Sequence, residues 1–480
     1  MATKHVASWV HDLQYSHLPK DVIRAAVQSF YNWAGCAVGG SDHEAVKIAH
    51  NALSPFFGAP TASILGHKGA LLTDPQHAAL LNGIASHVHD YDDTHLDTII
   101  HPTGPVASAL LAIAEHRSRK DSIPTSGQDF LVALIAGIEV ECKVGLAVWP
   151  HHYDVGWHIT STTGSIGAAV AVAKLLKLER EKTVHAIGLA ATQVIGLREM
   201  FGSHTKSFHP GRAAQAGLMA ALLAKEGYTS SEQALESKRG WASVVGVTKG
   251  EKEIQDDLAK WTGFGGQSEV GLPVVTGTAS ATEENQWQGR WEILRNSFKP
   301  FPCGIVIHPV IDACAQIHQD LVKQGLKAED IENVYAKVHP LVLELTGKKT
   351  PKDGLQGKFS VYHGGACGLI FGKATPSQYD DGVVQDPTVI NVRDRITAEA
   401  DSSLGADETI VVVTLKGGKK LEKHVQHAVG SVEVPLDEHR LEEKFLDQCQ
   451  RVLGDDTKAA SDALWKLEDV RDIVSVTEIL

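Results

Sequence analysis

The sequence predicts a mainly α protein, a large all-helical domain with a smaller α+β domain. Three observations carry this. The first 270 residues are dominated by Ala- and Leu-rich segments with apolar residues at helical spacing. Residues 334–338 and 408–415 instead alternate or run in β-branched residues, and Gly417-Gly418 follows as a turn. Helical periodicity returns from Asp437. The expected division is therefore 1–270 for the first part of the helical domain, 271–430 for the α+β domain, and 431–480 for a C-terminal part that rejoins the first.

In chain order, residues 22–38 carry a helical apolar pattern broken by Gly39-Gly40, and 77–89 continue in that style. Segments 106–116, 130–148, 165–176 and 212–225 are helix formers with few β-branched runs. The stretches at 168–173 and 219–224 are apolar nearly all round, which predicts helices buried on several sides. Further on, 307–324 and 362–371 read as helices, and 420–425 as the hairpin partner of 408–415. Segments 445–453 and 458–467 close the chain as helices.

Hydrophobic residues make up 43% and the formal net charge is −13, so a folded acidic protein is expected and nucleic acid is not the expected partner. No apolar run reaches the roughly 20 residues that span a bilayer. The N-terminal residues lack a signal or transit pattern, which predicts a cytoplasmic location. The six cysteines (36, 142, 303, 314, 367 and 449) form no C-x-x-C pair, against a disulfide framework, a structural zinc site or an iron–sulfur cluster.

Four segments set a basic residue before an expected helix start among small residues and prolines. They are His101-Pro-Thr-Gly-Pro105, Gly156-Trp-His158-Ile-Thr-Ser161, Thr205-Lys206-Ser-Phe-His-Pro-Gly211 and Phe298-Lys299-Pro-Phe-Pro-Cys-Gly304. A helix start offers free N–H groups and partial positive charge, so a cation beside it suits a carboxylate or phosphate. Four such places suggest a ligand with several negative groups. The densest polar run, His87-Val-His89-Asp90-Tyr-Asp92-Asp93-Thr94-His95, reads as a metal-free acid/base site, a metal site, or a polar helix end. Phosphate-loop, dinucleotide and nucleophile-elbow motifs are absent.

His89-Asp-Tyr-Asp-Asp-Thr94 with His101-Pro-Thr-Gly104 resembles the signature of the MmgE/PrpD family. So do the His158, Lys206 and Lys299 segments and Gly354-Leu-Gln-Gly-Lys-Phe-Ser360. The resemblance runs in order over nearly the whole chain. It implies a helical domain built from both chain ends, an α+β lid, and a homodimer. It also implies a small polycarboxylate substrate handled without metal or organic cofactor. Carried over residue by residue, it implies a pocket of Asp90, Thr94, His101, His158, Lys206 and Lys299. The expected activity is a lyase on a citrate-like substrate, most of all a 2-methylcitrate- or alkylcitrate-type dehydratase. Decarboxylation of cis-aconitate and epimerisation of a polycarboxylate are the alternatives within the family.

On this reading His101 moves a proton α to a carboxylate, oriented by Asp90, whose charge would raise its basicity. Thr94 would bond substrate or leaving group, and His158, Lys206 and Lys299 would hold carboxylates. Outside the family, a metal-dependent hydrolase would use His87, His89, Asp90, Asp93 and His95. A non-catalytic binding protein would keep the fold without the chemistry.

Overall fold

A computed structural model describes residues 2–67, 71–246 and 291–480. The expected boundary at 271 lies outside the described residues. Among the described residues no helix is long and apolar enough to cross a membrane.

The protein is mainly α, with the helices expected from periodicity present and their ends displaced by up to eight residues. Those used below are α1 (Lys20–Gly40), α2 (Pro75–His87), α3 (Thr103–Asp121), α4 (Gly127–Val148), α5 (Ile159–Leu175) and α6 (His204–Lys225). Two cues set the start of α2: Asp74 accepts from the N–H groups of Gln76 and His77, and Pro75 occupies the first helical position. Helices α4 and α5 are buried almost throughout, and α5 packs against α3, α4 and α6. Residues from these helices form one large hydrophobic cluster that also takes in Phe298 and residues 436–480.

Helix α6 begins at His204, earlier than residue 212 where Pro210-Gly211 suggested a break. Proline at 210 withholds one N–H from the carbonyl four residues back, on Lys206, and the helix continues through it. Gly211 then allows α6 to lie against α2 at Gly83. A Cβ on Gly83 would sit 2.4 Å from the Gly211 Cα, and one on Gly211 would sit 2.3 Å from the Leu80 carbonyl oxygen. One turn beyond this crossing on α2 is His87, and on α6 the neighbouring turn carries Lys206.

A second cluster spans residues from Phe301 to Ala428. It surrounds a four-stranded sheet in the order β2 (Ile396–Ala400), β1 (Ile331–Val338), β3 (Thr409–Leu415), β4 (Lys420–Val425). Strands β1 and β2 are parallel, which periodicity did not reveal, and the other two pairings are antiparallel. Helices α7 (His308–Lys323) and α8 (Val361–Phe371) pack against each other and the sheet. Lys299 lies between the clusters, one residue after Phe298 and two before Phe301.

Two devices join the chain around it. Thr94–His95 pairs antiparallel with Asn296–Ser297. Helix α9 (Glu438–Leu453) packs on α1 and buries Lys444, whose Nζ donates to Asn32 Oδ1 at 2.7 Å, the Tyr91 carbonyl at 2.7 Å and the Lys299 carbonyl at 2.8 Å.

Two substitutions test this frame. Gly211→Ala should cost about 1–3 kcal/mol, the usual range for overpacking a tight contact. Lys444→Ala should cost about 3 kcal/mol by leaving buried acceptors unpaired. Both are read as a fall in the denaturant midpoint; native midpoints would contradict these contacts.

Candidate active site

Helix α2 ends at His87 and the chain then turns through Asp90, whose φ of 52° is left-handed, a conformation aspartate tolerates better than most residues. The Asp90 N–H donates to the His87 carbonyl, closing the turn, and the carboxylate points inward. There Asp90 Oδ1 meets Lys299 Nζ at 2.6 Å and Lys206 Nζ at 3.1 Å. Lys206 also donates to His87 Nε2 at 2.8 Å, and His87 Nδ1–H donates to Asp92 Oδ2 at 2.8 Å. The two ammonium groups hold the Asp90 carboxyl well below the usual carboxylate range against the opposing effect of burial. Burial pushes His87 and Lys206 down.

His101 sits beside this ion cluster, just before α3. Its Nδ1 is 2.7 Å from the Asp93 carbonyl and 3.2 Å from Thr94 Oγ1. A carbonyl only accepts, so Nδ1 carries the ring proton. Nε2 makes no hydrogen bond among the described residues, and Asp90 Oδ1 is 3.9 Å from it. Burial, and next Lys299, hold the imidazole well below its usual range, so it is neutral near pH 7. The orientation expected from Asp90 thus comes instead from the Asp93 carbonyl. Thr94, expected against substrate, lies behind the ring.

His158 caps α5 and shares a proton with His209, Nδ1 to Nδ1 at 2.9 Å. Burial holds His158 well below its usual range and His209 down to about 4. The expected helix-start pattern is present for His101 and His158. Lys206 differs in lying inside the first turn of α6, and Lys299 in lying on an extended segment well before the turn Ile305–Ile307.

Asp90, His101, His158, Lys206 and Lys299 line one cavity, with Phe201, Ile305, Val306 and Phe359 on its apolar side. Its volume of about 40 Å³ holds a few waters and not a tricarboxylate.

Lys358 escaped the residue-level reading, although it lies within the segment that resembles the family's smaller domain. It is buried and donates to the Val88 carbonyl at 3.0 Å and His89 Nδ1 at 3.3 Å, and burial brings its ammonium down to about 7. It therefore ties the α+β part to the Asp90 turn. His209 follows Lys206 by three residues, a helical spacing that could have revealed it.

The five residues of the hydrolase alternative do not converge. His89 turns to the Gly39 carbonyl, Asp93 accepts from Thr103 and Asn296, and His95 bonds Glu292 and Thr98. A different set, His87, Asp90, Asp92 and His101, does bring ligand atoms within 4.8 Å of one another. Lys206 and Lys299 already hold their ammonium groups against Asp90 there, and cations in that place oppose a metal ion. All six cysteines are buried and unpaired.

Known proteins resemble the chain along its length. A cis-aconitate decarboxylase from Homo sapiens is 26% identical, with 100% of this chain and 94% of that protein aligned. A cis-aconitate decarboxylase-like protein from Aspergillus oryzae is 24% identical, with 100% and 97% aligned. A 2-methylcitrate dehydratase from Salmonella typhimurium is 24% identical over 78% of this chain and 72% of its own length. The MmgE/PrpD N-terminal domain matches residues 4–253 and the MmgE/PrpD C-terminal domain residues 301–469. With both of its domains matched in order, the chain belongs to the MmgE/PrpD family.

Proposed function

We propose that the protein is a lyase on a citrate-like polycarboxylate that works without metal or organic cofactor, removing a proton α to a carboxylate and expelling water. The observation that carries this is His101: its Nδ1 proton is committed to the Asp93 carbonyl, which leaves a bare Nε2 beside buried cations. A neutral, fixed imidazole is a base, and Lys206 and Lys299 stand where the resulting enolate charge needs stabilisation. His101 Nε2 takes the proton, the C–H electron pair forms the double bond, and hydroxide leaves the neighbouring carbon with its C–O pair. His158, with its Nδ1 accepting from His209, presents Nε2–H to the leaving oxygen. Thr94 steadies His101, and Asp90 pairs with both lysines in a buried place. The α+β part from Phe301 to Ala428 forms the lid, since a tricarboxylate needs more room than the cavity offers. The working unit is a homodimer.

Decarboxylation is the second reading. It is favoured by the cis-aconitate decarboxylases, which align with the whole chain where the Salmonella dehydratase aligns with 78% of it. There the C–C bond to a carboxylate breaks, carbon dioxide leaves, and the carbanion takes a solvent proton relayed through His101 Nε2, which ends neutral as it began. Mass spectrometry separates the two: loss of water from citrates supports the first, and carbon dioxide from cis-aconitate with no action on citrates supports the second.

His101→Ala should lose about 10²–10⁴-fold in turnover; near-native turnover would contradict the assignment. Lys206→Ala and Lys299→Ala should each weaken substrate affinity about ten- to a hundredfold with the fold intact, the value of one charge-assisted contact. The acid limb of kcat/KM should lie below the usual histidine range, because burial and Lys299 disfavour the imidazolium. Lys299→Met removes a positive neighbour and should move that limb up. As pH rises through about 7, Lys358 loses its charge and KM for a polyanion should increase; Lys358→Met should abolish that increase. Activity should survive exhaustive chelation. Loss restored by a divalent ion would instead favour the set around His87.

A further inference from the structure

His87 and Asp92 line no part of the polar cavity, and the proposed chemistry uses neither. Their contacts nevertheless run to a residue that does line it. His87 is buried at the last position of α2, and its Nδ1 lies 2.8 Å from Asp92 Oδ2. Burial opposes the Asp92 charge, but His87 and then His101 hold its carboxyl well below the usual carboxylate range. A carboxylate only accepts, so the His87 ring proton sits on Nδ1 and Nε2 carries a lone pair. That lone pair faces Lys206 Nζ at 2.8 Å. Burial brings the imidazole down, with Asp92 opposing and Lys206 assisting, so the ring remains an acceptor near pH 7.

We propose that His87 is a positioning residue: with Asp92 fixing its tautomer, it holds the Lys206 ammonium so that one N–H is left for a substrate carboxylate. This rests on the polycarboxylate reading above and adds to it the means by which Lys206 is aimed. An ammonium has three N–H donors. One goes to His87 Nε2 and one to Asp90 Oδ1 at 3.1 Å, and Lys206 has no third hydrogen-bond partner among the described residues. Beyond these contacts stand the rings of Phe201 and Phe359, their centroids 5.3 and 5.8 Å from Nζ. Both rings line the cavity, and a ring face attracts the cation without supplying a conventional acceptor. The third N–H is therefore the one that serves the cavity. Lys299 is anchored differently, by the carbonyl and the carboxylate of Asp90 together, at 3.2 and 2.6 Å. Without His87, Lys206 would keep only its longer contact to Asp90, and ordering its flexible stem would then oppose substrate binding.

Asp92 also stands 3.8 Å from His101 Nδ1, so His87 is the residue to vary. A glutamine there places its carbonyl oxygen near the Nε2 position and can accept from Lys206, whereas an asparagine reaches only the Nδ1 position. Calorimetric titration with tricarballylate should give near-native affinity for His87→Gln and about a tenfold loss for His87→Asn, the lower end for one charge-assisted contact. In a Lys206→Met background His87→Asn should change affinity no further, because its effect passes through the missing ammonium. Equal affinities of the Gln and Asn variants, or an undiminished loss in the Lys206→Met background, would overturn the positioning role and leave the polycarboxylate reading standing. Nitrogen NMR of the ¹⁵N-histidine-labelled native protein needs neither substrate nor a folded Asn variant. The His87 signals, identified by their loss in His87→Gln, should show a protonated Nδ1 and an unprotonated Nε2. A proton on Nε2 would overturn the proposal whatever the variants do. Absence of tricarballylate binding by the native protein would overturn the polycarboxylate reading and this one with it.

Discussion

The arrangement depends on one buried ionic contact, the Asp90 carboxylate between the ammonium groups of Lys206 and Lys299. These residues come from three distant parts of the chain, and each charge would be costly to bury alone. Loss of Asp90 would leave two buried ammonium groups uncompensated, and stripping a buried ion of its partner typically costs about 3–5 kcal/mol. The surrounding fold supplies the closeness. The glycine crossing at Gly83 and Gly211 brings His87 to Lys206, the Thr94–Ser297 pairing brings the Asp90 loop to Lys299, and Lys444 bonds both backbones at once.

The same low-polarity surroundings decide which groups are charged. Fixed cations and desolvation together keep His87, His101 and His158 neutral, while the lysines are held by Asp90. An entering polyanion reverses part of this balance. It favours the protonated form of Lys358, which begins near neutrality, and strengthens every ammonium contact once water is displaced. Because Lys358 reaches from the α+β part to the Val88 carbonyl, its charge and the seating of that part against the Asp90 turn act on the same contact.

Much of the fold was legible because the helices are long and strongly periodic and the strand 409–415 alternates cleanly. The basic residues of the site were legible because each sits in a short stretch poor in other charges. What the chain hid was three-dimensional. Lys444 lies in Glu438–Leu453 among acidic and basic neighbours and reads as one more solvated charge, yet it is buried. The parallel partner Ile396–Ala400 is short and mostly exposed on one face, so its sequence lacks a buried-strand run. Pro210 mimicked a helix boundary and displaced Lys206 from its true place inside the first turn. Asp90 and Thr94 were found, but their contacts were not predictable. A left-handed backbone turns Asp90 toward the lysines, and Thr94 stands behind His101 and not in the cavity.

The central claim is that His101 presents a bare Nε2 and keeps its single proton on Nδ1. Nitrogen NMR of protein labelled with ¹⁵N-histidine near pH 7, with the His101 signals identified by their disappearance in His101→Gln, reads this directly. The account predicts one protonated nitrogen, bonded to the Asp93 carbonyl, and one unprotonated nitrogen. A proton on Nε2, or a fully protonated imidazolium in the free enzyme, would contradict it.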